Sequence, residues 1–321
     1  MVEDYKSIQK SVFSSEFKKF YRKNLSIQMS NIEKIRKKYL YSAYALVSIA
    51  ILSILGYVVY GTIEYGNCLD MGVDSFKILF HIEVIIICIV IFIVCSYKSK
   101  VKPLILPKLL SFVGDFNLLR KDVSQMNLKK YIKSLELFDT YNKVNIDDRI
   151  EGMYKNLKVS ISEICLEKET GSGKRRRSIT IFDGILITVP CLKKYRGYTC
   201  IKQNSLNFLN NKQEQKVHLE DPEFEKYYDV FSTDQIEARY LITTAFMNRM
   251  VQLAKRGFGN GITLSFEHGN VNIAVSSSKD WFELPISKPA NDISIYRAII
   301  LELITILKII DSLKLDKNIG L

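Results

Sequence analysis

Residues 39–63 read YLYSAYALVSIAILSILGYVVYGTI and contain no charged residue. A helix needs about 20 apolar residues to cross the hydrocarbon core of a bilayer, so this stretch predicts a transmembrane helix. Residues 78–97, ILFHIEVIIICIVIFIVCSY, predict a second span for the same reason. Because the residues before the first run are charged and no small-residue cleavage motif follows it, we do not expect a cleaved signal peptide.

His81 and Glu83 lie in the first turns of the second run. Ionisable residues inside a membrane are candidates for proton or ion transfer. The i, i+2 spacing places the two side chains on different helix faces, so they do not form one site on a single helix. We favour a position near the membrane interface. A channel or transporter component would require oligomerisation, because two spans make too small a bundle for a transport path.

The charges that flank the two runs predict their orientation. The outer flanks are basic and contain Lys34, Arg36, Lys37, Lys38, Lys98, Lys100, Lys102 and Lys108. The connecting segment 64–77 contains Glu64, Asp70, Asp74 and Lys77. Since lysine and arginine are retained on the cytoplasmic side, both termini are predicted to be cytoplasmic. This distribution of the net charge of +12 favours contact with lipid headgroups over nucleic acid.

The rest of the chain predicts an α+β fold. Helical patterns follow Pro103 and extend over 128–141, and the first of these helices could lie on the inner leaflet or, as we favour, pack as a stalk. Strands are expected at 159–167, 177–189, 198–202 and 226–232, with a hairpin at 262–276. One helix is expected over 234–257 with Ile236, Tyr240, Thr243, Met247, Met250 and Ala254 on one face, and a buried helix is expected after Asn291. The predicted fold is therefore a two-helix transmembrane hairpin followed by a cytoplasmic, mainly antiparallel sheet domain with flanking helices.

These patterns divide the chain into six segments. They are a basic helical segment 1–38, a transmembrane helix 39–63, an external loop 64–77, a second transmembrane helix 78–97, a helical juxtamembrane stalk 98–150 and an α+β domain 151–321. The cysteines at 68, 88, 95, 165, 191 and 200 form no CxxC pair, so neither a disulfide framework nor a zinc site is indicated. In a reducing cytoplasm, Cys165, Cys191 and Cys200 are predicted to be free thiols.

Residues 169–178, ETGSGKRRRS, have some features of a phosphate-binding loop. Such a loop requires a glycine five positions before the last one and a Ser or Thr after the lysine, where this chain has Lys168 and Arg175. The surrounding strands instead predict a hairpin loop. The four basic residues Lys174, Arg175, Arg176 and Arg177 are then either solvated or in contact with anionic headgroups or an acidic partner.

The segment HLEDPEFEKYY, residues 218–228, is acidic and could supply a metal site or an acid/base pair. No nucleophile with a base accompanies it. We favour a solvated loop that turns at Pro222 and is anchored by Phe224, and we predict neither a metal nor a cofactor.

A longer run, HLEDPEFEKYYDVFSTDQIEARYLITTAFMNRM, resembles the hallmark segment of the bacterial family called domain of unknown function 3137. Further matching segments are DDRIEGMYKN, SEI, IFDGILI, LSFEHGNVNIAV and WFELPI, so the resemblance covers about residues 140–290. The chain departs from the family pattern at VPCLKKYRGYT. The resemblance implies a two-span membrane protein with a cytoplasmic domain, no established activity, and a small coiled-coil membrane protein of the LemA type as partner.

The hallmark residues can be explained without catalysis. They are Glu220, Asp221, Phe224, Asp234, Glu237, Arg239 and Tyr240. Asp234 and Glu237 have the spacing of a capping box, and Arg239 is expected to pair with Glu220, Asp221 or Glu225. We therefore favour a structural ion-pair network over an active site.

The predicted function is a non-enzymatic interaction module of the inner (cytoplasmic) membrane that binds a protein partner or anionic lipid headgroups. One alternative is a membrane-bound hydrolase or transferase that uses the cluster from Glu220 to Arg239. A second is an oligomeric channel or transporter component that uses His81 and Glu83. Membrane lipids are the expected partners of the two spans, no nucleic acid is expected, and homo-oligomerisation is left open.

Overall fold

A computed structural model describes residues 16–66, 73–119, 123–171, 173–204, 215–257 and 261–317. They form two compact units. The first, which we call the hairpin unit, combines the residues up to Phe112 with Glu283–Ala298. The second, the sheet unit, combines Val113–Phe282 with the residues from Ile299 onward.

The hairpin unit is helical. Its helices are α1 (Glu16–Asn24), α2 (Ser26–Tyr65) and α3 (Val73–Val113). Both predicted apolar runs lie inside α2 and α3, which are long and apolar enough to cross a membrane. The central part of the predicted loop 64–77, residues 67–72 with Cys68 and Asp70, lies outside the described residues.

Large apolar side chains are exposed along both helices. Leu52 is 67% exposed, Ile63 is 77% exposed and Phe92 is 72% exposed. Soluble monomers rarely expose a contiguous apolar surface of more than a few hundred Å². Helices with all backbone groups bonded internally and apolar side chains outside are suited to lipid, so this surface indicates association with a membrane.

Polar contacts fix the charged part of the hairpin unit. The Arg36 side chain is buried. Its guanidinium donates to the Glu33 carboxylate at 2.7 Å and to the Ile286 carbonyl at 2.9 Å. Glu33 also accepts a hydrogen bond from the Ala290 amide at 2.8 Å. Since these partners occupy the donors and acceptors of both charges, the segment Glu283–Ala298 is held to α2 within this unit.

The part of α3 after Pro103 is packed within the chain. Leu106, Leu109 and Leu110 are each only 1% exposed. Phe17 of α1 packs against Phe112 of α3 with ring centroids 5.4 Å apart. The apolar face of α1 is therefore occupied inside the hairpin unit.

The sheet unit contains a nine-stranded sheet in which every neighbouring pair is antiparallel. The strands are β1 (Asp115–Leu118), β2 (Lys143–Tyr154), β3 (Leu157–Thr170), β4 (Arg177–Pro190), β5 (Thr199–Gln203), β6 (Gln215–Val217), β7 (Tyr228–Ser232), β8 (Gly261–Glu267) and β9 (Asn270–Ser276). Their order in the sheet is β1-β2-β3-β4-β9-β8-β5-β7-β6. The predicted α+β class with a mainly antiparallel sheet is confirmed.

Helices cover both faces of this sheet. They are α4 (Val123–Ser134), α5 (Pro222–Glu225), α6 (Gln235–Leu241), α7 (Thr244–Arg256) and α8 (Ile293–Leu313), which begins in the hairpin unit. Ile132 of α4 packs in one cluster with Phe182 and Ala274. Phe246 of α7 contacts Phe266, and strand alternation places that ring on the opposite face.

The predicted strands and the predicted tail helix are confirmed. The hairpin β8–β9 turns at His268 and Gly269, whose φ angles are 52° and 73°. Such positive φ values at both central residues match the right-handed twist of the strands. In α8, Leu303 and Ile310 are at most 1% exposed, so this helix belongs to the core.

Two predicted helical regions differ in the structure. The stretch 98–150 contains β1 and most of β2, so the sheet begins before residue 151. The turn Lys155–Asn156, with φ of 49° and 64°, folds β2 back onto β3 and adds it to the sheet. The helix expected at 128–141 ends at Ser134 because Leu137 and Phe138 turn into the core.

The helix expected over 234–257 is two helices. The chain breaks at Ile242, with φ −99° and ψ 81°, and the Thr243 hydroxyl caps α7 by accepting from the Phe246 amide. The break changes the helix direction, so the predicted apolar face is not continuous. Ile236 is 82% exposed and Tyr240 is 52% exposed, whereas Met247 and Met250 are buried as predicted.

Gly184 provides the test of strand packing. Its φ is 149°, and a Cβ atom there would lie 2.1 Å from the Val275 carbonyl oxygen of β9. We expect Gly184→Ala to lower the free energy of unfolding of the sheet unit by about 2–4 kcal/mol, because backbone must move. Urea unfolding of the detergent-solubilised chain, followed by fluorescence of its single tryptophan, Trp281, measures this.

The matched control for this substitution is Gly114→Ala. A Cβ atom at Gly114 would meet only the Phe116 ring at 3.4 Å, which is ordinary contact. If both variants unfold at the same urea concentration, the close approach of β4 to β9 does not require glycine.

Candidate functional site

The basic loop connects β3 to β4, as predicted. Thr170 pairs with Arg177, and a short 3₁₀ turn covers Gly173–Arg175. Gly171 has φ of 83°, and a Cβ atom there would lie 2.5 Å from the Arg175 carbonyl. Because a strand follows the loop, no helix N-terminus is present to bind a phosphate.

The four basic residues of the loop do not share one environment. Arg176 forms an ion pair with Glu169 across the hairpin. Arg175 and Arg177 are exposed and form no hydrogen bond or ion pair with a described residue. The side chain of Lys174 lies outside the described part of the chain. Arg176 is thus paired, although its side chain is still 62% exposed.

Carboxylates beside the loop reduce its positive charge. Glu169 accepts from Arg176 and from Lys143 at 3.2 Å, and these cations hold the pKa of Glu169 below its ordinary value. Lys143 also lies 2.6 Å from Glu167 and lowers the pKa of that carboxyl. The cationic partners Lys143 and Arg176 are exposed, so the stabilising effect of these ion pairs is small.

A second cluster is acidic and combines distant segments. Oxygen atoms of Asp147, Glu163 and Asp280 all lie within 4.8 Å of one another. The Trp281 amide donates to Glu163 at 2.9 Å. Carboxylate oxygens are the ligands that hard divalent cations prefer, so these are residues that could hold such an ion. Sequence analysis missed this cluster.

Asp183 on β4 belongs to the same region of the sheet unit. Partial desolvation, and then the negative charge of Asp280, raise the pKa of Asp183. Part of the signal was present in the family segments, because DDRIEGMYKN, SEI and IFDGILI each contribute an acidic residue to this region, and Asp280 directly precedes WFELPI. Only the register of β2, β3 and β4 shows that these residues meet.

The hallmark acidic segment is a helix cap. Asp221 accepts hydrogen bonds from the amides of Glu223 and Phe224, both at 3.0 Å, and Pro222 begins α5. Phe224 is fully buried and packs on Tyr228. Of the neighbouring acids, Glu223 pairs with Lys255 at 2.5 Å, Glu225 accepts from the Leu219 amide, and Glu220 is exposed. The predicted turn at Pro222 and the predicted anchor Phe224 are both present.

Asp234 caps α6, as predicted, by accepting from the amides of Ile236 and Glu237. Glu237 does not complete a capping box. Its two carboxylate oxygens accept from the amides of Arg196 and Gly197, each at 2.6 Å. Glu237 therefore fixes the loop between β4 and β5 onto α6, which local spacing could not reveal.

Arg239 does not contact the acids that we expected. It donates to the His218 carbonyl at 3.2 Å and to the Gln235 carbonyl at 3.1 Å. Lys193 lies over the Tyr240 ring, 4.6 Å from the centroid. Arg239 and Tyr240 thus connect neighbouring loops to α6 through backbone and ring contacts.

The downstream hallmark LSFEHGNVNIAV also supplies structural hydrogen bonds. Glu267 is buried and accepts from the Ser265 hydroxyl at 2.6 Å and from the Glu136 amide at 3.1 Å. Burial raises the pKa of Glu267. The side chain of Asn272 accepts from Tyr131 and Thr188. These bonds hold α4 and its following loop against the sheet.

An open cavity of about 580 Å³ lies beside α4. It is lined by Lys133, Leu135, Glu136, Phe138, Asp139, Thr140, Tyr141, Asn142 and Lys202. Its size suits a small molecule, but the described lining includes no histidine, cysteine or serine.

The two ionisable residues of the second apolar run are placed differently. His81 contacts the Lys77 carbonyl on its own helix at 2.6 Å. Glu83 accepts from the Ser53 hydroxyl of α2 at 2.5 Å. Ser53 lies well inside the predicted span 39–63, so Glu83 reaches the interior of the hairpin.

We expect Glu237→Ala to destabilise the sheet unit by about 1–3 kcal/mol, because two backbone amides lose their acceptor. Glu237→Gln keeps one acceptor oxygen and should cost less. The control Glu220→Ala, on an exposed side chain, should change stability by less than about 0.5 kcal/mol. Unfolding followed by Trp281 fluorescence measures all three, and equal stability of Glu237→Ala and wild type would remove the structural role.

Comparisons with known proteins agree with the hallmark segments. The family model described as "Protein of unknown function (DUF3137)" matches residues 180–315. Among curated proteins, none matches the chain. The crystal structure of the mycobacterial trehalose monomycolate transport factor A, TtfA, is similar with 11% sequence identity and a TM-score of 0.33. The aligned region covers 60% of this chain and 88% of the TtfA chain. Because the TM-score is low, we draw no conclusion from this similarity.

The family match and the motif-based resemblance overlap over residues 180–290. This range includes the cap at Asp221, the cap at Asp234, and the loop contacts of Glu237 and Arg239. The predicted resemblance to the DUF3137 family of proteins of unknown function is thereby confirmed over residues 180–315.

Proposed function

We propose that the chain is a two-span protein of the inner (cytoplasmic) membrane whose sheet unit is a cytoplasmic interaction module. The exposed apolar surface of α2 and α3 is the observation that supports the membrane location. Side chains such as Leu52 and Phe92 would contact water over most of their area in a soluble protein. Their transfer to lipid is favourable at about 25 cal/mol per Å² of apolar surface.

Charge supports the proposed orientation. Exposed basic residues lie on α1 and the first part of α2, including Lys18, Lys19, Lys37 and Lys38, and Lys100 follows the second apolar run. According to the positive-inside rule, the end of the hairpin that carries these basic residues faces the cytoplasm. Both termini then lie in the cytoplasm.

The polar contacts of the sheet unit favour binding over catalysis. The hallmark residues Asp221, Asp234 and Glu237 use their carboxylates to accept backbone amides. Arg239 is bonded to carbonyl groups. A hydrolase or transferase that uses this cluster would need a free acid or base beside a nucleophile, and these groups are engaged in caps and loop contacts.

The basic loop Lys174–Arg177 is the surface that we propose for contact with a partner. One of its cations, Arg176, is paired with Glu169, which reduces the attraction of the loop to an anionic membrane. The adjoining strand β4 has backbone groups that another chain can bond and lipid cannot. We therefore favour a protein partner over headgroups, and the family resemblance suggests a small coiled-coil membrane protein of the LemA type.

A cysteine-labelling experiment tests the topology. In cells or sealed right-side-out vesicles, a membrane-impermeant maleimide should label Cys68, in the predicted external loop, and should not label Ser178→Cys on β4 until the membrane is opened. The physical reason is the retention of the basic flanks inside. Labelling of Ser178→Cys from outside would contradict the proposed orientation.

A fluorescence-quenching experiment tests whether the basic loop contacts lipid headgroups. The fluorophore is attached to Ser178→Cys in a chain that lacks the native cysteines and is reconstituted in liposomes. Quenchers attached to the lipid headgroups should then quench its fluorescence only weakly, and equally in neutral and in anionic liposomes. A fluorophore on Lys38→Cys, beside the first span, is the matched positive control. Stronger quenching at residue 178 in anionic liposomes, removed by neutralising Lys174, Arg175, Arg176 and Arg177, would establish headgroup contact instead.

A further inference from the structure

α2 and α3 meet along a narrow seam inside the hairpin unit. On each helix, the buried and half-buried residues of the apolar run recur every three or four positions, which places them on one helix face. These residues are Ala43, Leu46, Ala50, Ser53 and Tyr57 on α2 and Leu79, Glu83, Ile86 and Val90 on α3. Glu83 therefore belongs to the seam, whereas His81 is exposed on another face of α3.

The seam fixes the depth of Glu83 in the hairpin. At the basic end of the two runs, the rings of Tyr39 and Tyr97 lie 6.2 Å apart. Fourteen residues separate Tyr39 from Ser53, and fourteen separate Glu83 from Tyr97, which corresponds to about 21 Å along each helix. The hydrocarbon core of a bilayer is about 30 Å thick. In a chain whose two runs span the membrane, Glu83 then lies within the hydrocarbon.

Three oxygen atoms meet at this point of the seam. The Ser53 hydroxyl oxygen lies 2.5 Å from Glu83 Oε1 and 2.8 Å from the Ala50 carbonyl oxygen. A hydroxyl has one hydrogen to donate, whereas a carbonyl and an ionised carboxylate only accept. An ionised Glu83 would therefore leave one of the two contacts without a hydrogen of its own. A protonated Glu83 supplies the second hydrogen, because it donates to Ser53 while Ser53 donates to Ala50.

The surroundings do not compensate a negative charge on Glu83. The first apolar run contains no charged residue, and Tyr57 is its titratable residue on the seam. On α3, the nearest cationic side chains in sequence are Lys77 and His81 on one side and Lys98 on the other, and the His81 ring contacts the Lys77 carbonyl. No ion pair joins Glu83 to a residue that the structure describes. An uncompensated charge in hydrocarbon is unfavourable, so the surroundings favour the neutral acid.

We propose that the hairpin unit contains a proton-binding site, in which Glu83 is held as a neutral carboxylic acid by the Ser53 hydroxyl. The site goes beyond the proposed function and rests on its membrane part, because lipid must surround the seam. The proton is the ligand that fits, since one carboxyl, one hydroxyl and one carbonyl supply too few oxygen atoms for a hard metal cation. Loss of the proton would leave one hydrogen for three oxygens, so the contact between α2 and α3 depends on it.

Dicyclohexylcarbodiimide tests the site, because this reagent dissolves in lipid and reacts with protonated carboxyl groups. Membranes that contain the full-length chain are treated at neutral pH, and peptide mass spectrometry locates the adduct. We expect an adduct on Glu83 and its complete loss in Glu83→Gln, whose amide can still donate to Ser53. Glu64→Gln, at an exposed carboxyl near the end of α2, is the matched control and should leave the adduct on Glu83 unchanged.

Infrared spectroscopy of the purified chain in liposomes gives a second readout that does not depend on access of a reagent. At neutral pH, the difference between the spectra of the wild type and Glu83→Gln should contain the C=O band of one protonated carboxyl group. Other buried acids, such as Glu267, are common to both chains and cancel. Ser53→Ala should shift this band, because the acid loses its hydrogen-bond acceptor.

Three outcomes would overturn the proton site. They are the absence of an adduct on Glu83, the absence of the carboxyl band from the difference spectrum, and an unshifted band in Ser53→Ala. Extraction of the membranes with alkaline carbonate distinguishes these failures from failure of the proposed function. A chain that stays in the membrane pellet contradicts only the proton site, whereas a chain released by carbonate contradicts the membrane anchor.

Discussion

The sheet unit depends on the two-sided pairing of β4. From Gly184 to Pro190 this strand bonds β3 on one side and β9 on the other, and so it joins the first four strands to the last five. At Gly184 the backbones approach so closely that a Cβ atom would contact the Val275 carbonyl. The helices that cover the sheet, α4 on one face and α7 on the other, pack on positions that this pairing defines.

The hairpin unit follows a different constraint. Its long helices expose apolar side chains and satisfy their backbone groups internally, which is the condition that a lipid environment imposes. Outside the apolar runs, the buried Arg36 is paired with the Glu33 carboxylate and the Ile286 carbonyl. One chain thus contains a part suited to lipid and a part suited to water.

The family hallmark residues act mainly through the backbone. Asp221 and Asp234 cap helices, Glu237 accepts two loop amides, and Glu267 accepts the Glu136 amide. Such groups fix loop geometry, and their removal leaves unpaired amides. The carboxylates of Asp147, Glu163 and Asp280 differ from these, because here like charges from two strands and a loop lie close together.

The sequence by itself determined the features that depend on local pattern. The apolar runs predicted α2 and α3, alternation predicted β3, β4 and the β8–β9 hairpin, and spacing predicted the turn at Pro222 and the cap at Asp234. Only the tertiary structure decided the break at Ile242, the loop contacts of Glu237, the meeting of the distant carboxylates and the start of the β4–β9 pairing at Gly184. Each of these depends on which strands become neighbours and where their pairing stops, and that is set by packing between residues far apart in the chain.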